Sequence, residues 1–116
     1  MAEGPWLTVA GYKAWARIAE TDSLDDDAIS ASVAAATVAI EIRAPRAFAL
    51  VDVDGADLPV PADVVEAGYL LTNRLMSRRN SPDGVVGVSD MGTATIVAKD
   101  ADIAGLLGPW LATVLA

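Results

Sequence analysis

The chain of 116 residues contains no cysteine and no histidine. The absence of cysteine excludes disulfide bonds and thiolate chemistry. The absence of histidine removes the commonest general base and the commonest metal ligand. No Ser–His or Cys–His pairing is possible, and the sequence has no glycine-rich phosphate-binding loop. We therefore expect a protein that is not an enzyme and that requires neither a metal nor another cofactor.

Basic residues are also scarce. Eight Lys and Arg stand against sixteen Asp and Glu, which gives a net charge of −8 at pH 7. A protein that binds nucleic acid independently needs a basic face, so this balance argues against that class. The sequence begins without a basic segment followed by an apolar run, so no secretory signal is predicted. The longest uncharged apolar run, Ile103–Ala116, is shorter than the ~20 residues of a membrane span, and we expect no membrane partner.

Apolar residues, in contrast, are abundant. They make up 53% of the chain, and the mean hydropathy is +0.41. Aromatic residues contribute only 5%, so most of the apolar content is Ala, Val, Leu and Ile. A single domain of residues 1–116 has little interior in which to bury so much apolar surface. We expect part of that surface to be buried against other chains.

Two helices are predicted in the first half of the chain. Thr8 is expected to cap a helix that runs to about Ala19. The run Asp25–Asp27 opens a second helix, which Pro45 ends. The apolar stripe of this second helix is Ile29, Val33, Ala36 and Ile40. Its later part also alternates like a strand, but its length and alanine content favour the helix.

The main helix is predicted to begin after the prolines at 59 and 61 and to end before the turn at residues 80–84. Asp63 and Glu66 lie in its first turn, where carboxylates complement the positive end of the helix dipole. Arginines complement the other end: Arg74, Arg78 and Arg79. A glycine inside a helix costs about 1 kcal/mol, so Gly68 predicts that another helix packs closely there.

Three further segments complete the predicted fold. Residues 46–59 are expected to be extended, with a short strand around residues 48–53. Residues 85–97 predict a β-hairpin or long loop. Asp100 or Asp102 is expected to cap a last helix, which Gly108-Pro109 breaks. The fold class is therefore mainly α: a small bundle of about four helices, with the hairpin or loop protruding between the last two.

Two acidic segments could bind a cation. Residues 52–58 resemble a calcium loop, but the EF-hand pattern set on Asp52 has Ala56 at position five and Asp57 where glycine belongs. A polar turn explains this segment better. For the run Asp25–Asp27, a helix N-terminal cap is the better explanation than a cation site. No metal site is therefore predicted.

Arginines and tryptophans are the candidate contact residues. The arginines at 74, 78 and 79 could complement the helix end, pair with acidic residues of a neighbouring subunit, or bind DNA, which the net charge disfavours. Tryptophans belong to the core more often than to a ligand cage. Trp6 and Trp110 lie near the termini and are the better candidates for interface anchors. Residues 109–116 are a candidate docking tail, whose apolar stripe is Trp110, Leu111, Val114 and Leu115.

The order of these features resembles the head–tail connector (adaptor) proteins of long-tailed bacteriophages. Four regions carry the resemblance: the N-terminal helix over residues 8–18, the acidic opening over residues 24–27 before an alanine-rich helix, the main helix ending in R-R-N-S-P-D-G-V, and D-A-D-I-A-G-L-L-G-P-W at residues 100–110. Residues 46–59 depart from the pattern, and the tail after Trp110 is more apolar than the family's.

The resemblance implies a structural virion protein that is made in the host cytoplasm and works at the head–tail interface. Such proteins form a ring, usually twelve-fold, below the portal. The ring extends the DNA channel and receives the head-closure (stopper) or tail proteins. Double-stranded DNA would pass without specific binding, since an acidic lumen repels phosphate. The hairpin would project toward the lumen or a neighbouring ring, with Val88, Ser89, Asp90 and Met91 at its turn.

The alternative class is a small acidic binding or regulatory protein of the cytoplasm, similar to an antitoxin. A protein of that class would be a monomer or a dimer and would not form a ring. The size of the chain in solution, with and without a portal protein, distinguishes the two classes.

Overall fold

The structure, a computed structural model, describes residues 5–78 in full, the backbone of residues 79 and 80, and residues 100–110. Within these ranges the chain forms four α-helices and two 3-10 turns, and no β-strand. The helices are α1 (Val9–Trp15), α2 (Asp26–Arg43), α3 (Ala62–Asn80) and α4 (Ala101–Leu107), and the turns are Pro45–Phe48 and Gly108–Trp110. The predicted small helical bundle is confirmed. The hairpin predicted at residues 85–97 lies outside the described residues.

The central element is α3, which contacts α1, α2 and α4. Apolar side chains along α3 are fully buried, among them Val64, Leu71 and Leu75. The apolar stripe predicted for α2 is buried as expected: Ile29, Val33, Ala36 and Ile40. From the other side, α4 buries Ile103 and Leu107. The core therefore surrounds α3, and burial of these stripes accounts for the packing of the helices.

Local capping fixes where the short helices begin. The Thr8 hydroxyl accepts a hydrogen bond from the Gly11 N–H at 2.9 Å, as predicted. The Asp100 carboxylate accepts bonds from the N–H groups of Asp102 and Ile103 at 3.0 and 3.2 Å, so Asp100 is the cap. These caps satisfy N–H groups that have no partner inside the helix.

The first helix is shorter than predicted. It ends at Trp15 and not near Ala19, because Arg17 takes a φ of +62°. A residue whose backbone lies in this left-handed region cannot continue a right-handed helix. The apolar spacing of residues 15–19 predicted helix, but the chain turns there to reach α2.

The strand predicted within residues 46–59 is wrong. Phe48 belongs to the 3-10 turn that Pro45 opens, and Ala47 in that turn is buried. Only an isolated antiparallel bridge joins Val51 and Asp57. Alternation specifies a strand only where one face is buried, whereas Val51 and Val53 are 53% and 102% exposed. Val51 and Val53 therefore lack a surface against which to pack, whereas Phe48 packs beside Trp6 from the 3-10 turn.

The close approach predicted at Gly68 exists, but a different element makes it. A β-carbon built at Gly68 would lie 2.8 Å from Leu7 Cδ1 and 2.9 Å from Trp6 Cζ3. These two side chains precede α1 and are not part of a helix. The missing side chain at Gly68 therefore allows the N-terminal segment to pack closely on α3. The sequence had predicted a second helix at this position.

Candidate functional site

Each of the three tryptophans donates its indole N–H to a carboxylate on another element. Trp6 donates to Glu41 at 3.0 Å. Trp15 donates to Glu66 at 3.0 and 3.2 Å. Trp110 donates to Asp63 at 3.1 and 3.0 Å. Hydrogen bonds to charged acceptors contribute about 1.5–3 kcal/mol each. These three pairs join both ends of the described chain to α2 and α3.

Trp6, a predicted interface anchor, is held within its own chain. Its ring lies 5.0 Å from that of Phe48 at a tilt of 55°, and it covers Gly68. The side chain is half-buried and packs against the hydrophobic core. Only its remaining exposed part is accessible to another chain.

Trp110, the other predicted anchor, is held in the same way. It lies in the 3-10 turn after α4, is half-buried and packs against the core. The N–H donated to Asp63 brings it to the first turn of α3. Trp110 therefore belongs to the bundle, and a docking tail would begin after it. The tail candidates Leu111, Val114 and Leu115 lie outside the described residues.

Arg74 pairs with the cap of α4. Its Nε donates to Asp100 Oδ2 at 2.8 Å, and its Nη2 lies 3.4 Å from Asp102 Oδ2. The hydrogen bond from Arg74 holds the pKa of Asp100 below its ordinary value of 3.8, and the bonds from the N–H groups of Ile103 and Asp102 lower it further. Asp100 thus caps one helix and binds another. Of the three predicted explanations, an ion pair describes Arg74, but its acidic partners belong to the same chain.

The other candidate residues are placed differently. Arg78 is exposed near the end of α3. The side chain of Arg79 lies outside the described part of the structure. So do the proposed channel-loop residues, which are Val88, Ser89, Asp90 and Met91. The structure therefore brings Arg74 into the fold and leaves Arg78 on the surface.

A buried lysine was not among the predicted site residues. Lys13 on α1 is only 5% exposed, and its ammonium group donates to Asp26 Oδ1 at 2.9 Å and to the Glu20 carbonyl at 3.1 Å. These contacts hold the loop between α1 and α2 in place. Lys13 directly follows the core residue Tyr12. This position next to a core residue was the signal in the sequence that could have indicated its burial.

Residues 50–58 form an ordered acidic turn on the surface. Asp52 Oδ1 accepts from the N–H groups of Asp54 and Ala56 at 2.8 and 3.0 Å. Gly55 takes a φ of +85°, which glycine adopts without strain. The polar-turn interpretation describes this segment, because the Asp52 carboxylate and Gly55 together close a turn of the backbone. Among the described residues, no group of three or more carboxylates could hold a metal ion.

An exposed apolar surface lies on the side of α2 opposite its buried stripe. It contains Ala31, Ala34, Val38 and Ile42, and we call it the outer face of α2. Val38 is 54% exposed and Ile42 is 70% exposed. The sequence predicted that apolar surface would remain for other chains. It did not predict this location. Residues 38–42 also alternate like a strand, and this pattern drew attention away from the helical face that Val38 and Ile42 share.

Comparisons of the chain with protein-family models, with curated proteins and with solved structures found no match. Within the described ranges, no helix has the length and apolar character needed to cross a membrane. The arrangement of described residues offers contact surfaces: the outer face of α2, the acidic turn and the exposed end of α3.

Proposed function

We propose that this chain is a structural virion protein of the head–tail connector type. It forms a ring below the portal, extends the DNA channel and receives the head-closure and tail proteins. The observation that supports this proposal is the order of the four connector-like regions along the chain. These regions contribute α1, the start of α2, the end of α3 and α4, the four helices of one bundle.

The charge of the chain is consistent with this role. A channel for DNA must let the duplex slide, and phosphate contacts from Lys and Arg would retain it. The chain carries a net charge of −8, and two of its basic side chains, Lys13 and Arg74, are engaged by carboxylates of the same chain. An acidic lumen repels the phosphates and keeps the DNA free.

Exposed arginine at the end of α3 is our candidate for the contact between subunits or with the portal. The double change Arg78→Ala and Arg79→Ala should weaken assembly on the portal. The matched change Arg74→Ala should lower the free energy of unfolding, because it breaks the pair with Asp100. If the double variant assembles normally and loses only DNA binding, the arginines have a different role.

Reconstitution with the portal protein of the same genome tests the proposal. Analytical ultracentrifugation of the mixture should show the chain sedimenting with the portal, and electron microscopy should show an added ring. A chain that stays monomeric or dimeric and does not bind the portal contradicts the proposal. That result would favour the small cytoplasmic binding or regulatory protein.

A further inference from the structure

The outer face of α2 is apolar, continuous and exposed. At 100° per residue its four members, Ala31, Ala34, Val38 and Ile42, fall within about 80° of one another. The buried stripe of the same helix lies on the opposite side. A helix that is apolar on both sides is normally covered on both sides. In the described structure α3 covers one side only.

Charged side chains flank this face near its two ends. Residues 28–40 carry no charged side chain. Asp27 lies in the first turn of α2, and Arg46 follows its last turn; both residues are exposed. Glu41 and Arg43 also lie near the Arg46 end, and the Glu41 carboxylate accepts the Trp6 indole N–H. The face therefore has an acidic end at Asp27 and a second end that carries two arginines and one glutamate.

We propose that the outer face of α2 pairs with the same face of a second copy of this chain, with the two helices antiparallel. A two-fold axis near residue 36 places Ala34 of one copy opposite Val38 of the other. Ala31 then lies close to Ile42 of the second copy. Each small side chain meets a large one, which lets the two surfaces interdigitate.

The terminal charges select the antiparallel orientation. Asp27 lies roughly 13 Å from the axis at 1.5 Å per residue, and Arg46 follows the opposite end of the helix, so each acidic end meets the arginine-bearing end of the other copy. The two acidic ends are then roughly 27 Å apart, well beyond the ~8 Å Debye length of physiological salt. A parallel pair would place Asp27 against Asp27 in two chains that are already acidic.

This contact is separate from the ring of the proposed function. A two-fold contact uses the same patch on both copies, so it closes at two and cannot continue around a ring. It describes the free chain in solution. A single pair of helices is a small interface, so we expect weak association that appears as the concentration rises.

Sedimentation velocity of the full chain over a concentration series tests the pairing. The wild type should pass from monomer to dimer below about millimolar concentration. Val38→Asp places two carboxylates near the axis and should weaken dimerisation at least about tenfold. Val53→Asp is the matched control: Val53 is 102% exposed and lies in the turn at residues 50–58, outside α2, so the same added charge should leave the dimer essentially unchanged.

A charge exchange tests the orientation independently. Asp27→Arg alone and Arg46→Asp alone should each weaken the dimer, and the two changes together should restore it. A wild type that stays monomeric throughout overturns the proposal, and so does a dimer that Val38→Asp leaves intact. Dimerisation that appears only after residues 111–116 are removed also overturns it, because the chain's own tail would then cover the face.

Discussion

At the residue scale, glycines at two positions in the helices have opposite roles. Gly68 leaves room for Leu7 and Trp6, whereas a β-carbon at Gly105 meets no described atom within 4 Å. Both positions pay the same intrinsic helix penalty of about 1 kcal/mol relative to alanine. The surroundings, and not the residue type, decide the effect of substitution.

We expect Gly68→Ala to lower the free energy of unfolding by about 1–2 kcal/mol, since overpacking outweighs the gain in helix propensity. Gly105→Ala, the matched control, should raise it by up to about 1 kcal/mol. Urea unfolding measures both. Equal stabilisation by the two changes would show that the N-terminal segment does not pack on α3.

Asp100 combines a helix cap with an ion pair, and the two parts can be separated. Asp100→Ala should cost about 1–3 kcal/mol, because it removes both. Asp100→Asn keeps a side chain that can cap, so it should cost less. Equal losses in the two variants, measured by urea unfolding at neutral pH, would mean that the carbonyl of asparagine cannot replace the cap.

The pH dependence of this residue has a definite sign. The folded-state pKa of Asp100 lies below its ordinary value of 3.8, so the unfolded state takes up the proton first. The stability that the ionised group contributes is therefore complete above that value and is lost as the pH falls through the lowered folded pKa. The stability difference between the wild type and Asp100→Asn should shrink over that acidic range. A constant difference would contradict the assignment.

At the element scale, Lys13 and Asp26 hold α1 against α2. Asp26→Ala leaves a buried ammonium group that, among the described residues, bonds to the Glu20 carbonyl alone. An uncompensated buried charge is more costly than a lost surface contact. We expect Asp26→Ala to destabilise the protein by roughly 2–3 kcal/mol, as measured by thermal or urea unfolding.

The control for this prediction is Asp27→Ala. It removes a carboxylate from the same first turn of α2, but Asp27 is exposed, so the loss should be within about 1 kcal/mol. Similar losses from the two changes would mean that the helix dipole, and not Lys13, accounts for the effect.

The elements that the sequence predicted correctly depend on neighbours close along the chain. Thr8 caps through Gly11, and the buried stripe of α2 repeats every three or four residues. The contacts that were not predicted join distant residues: Trp6 with Glu41, and Trp15 with Glu66. The segment after Pro45 was predicted to contain a short strand because its apolar alternation is local, whereas the exposure of Val51 and Val53 is a property of the whole fold.

At the scale of the whole molecule, the described bundle ends at Trp110, and a docking tail would begin at residue 111. The bond of Trp110 to Asp63 attaches the chain to α3 immediately before residue 111. We expect deletion of residues 111–116 to leave the thermal unfolding midpoint nearly unchanged and to abolish binding to the portal. Calorimetry and co-sedimentation measure the two effects. A large loss of thermal stability would instead show that the tail packs on its own subunit.

The proposed function itself depends on where the protein resides after assembly. A ring that matches the portal subunit for subunit requires the chain to be retained in finished particles. A regulatory protein would act in the host cytoplasm and would be left behind when particles are purified. The composition of purified particles separates these two outcomes without any assumption about the contacts described above.

Quantitative mass spectrometry of purified virions is therefore the most direct measurement. We expect peptides of this chain in the particles at about the same molar amount as the portal protein, retained after washing in high salt. Absence of the chain from virions, with abundant soluble chain in the lysate of the same culture, would contradict it.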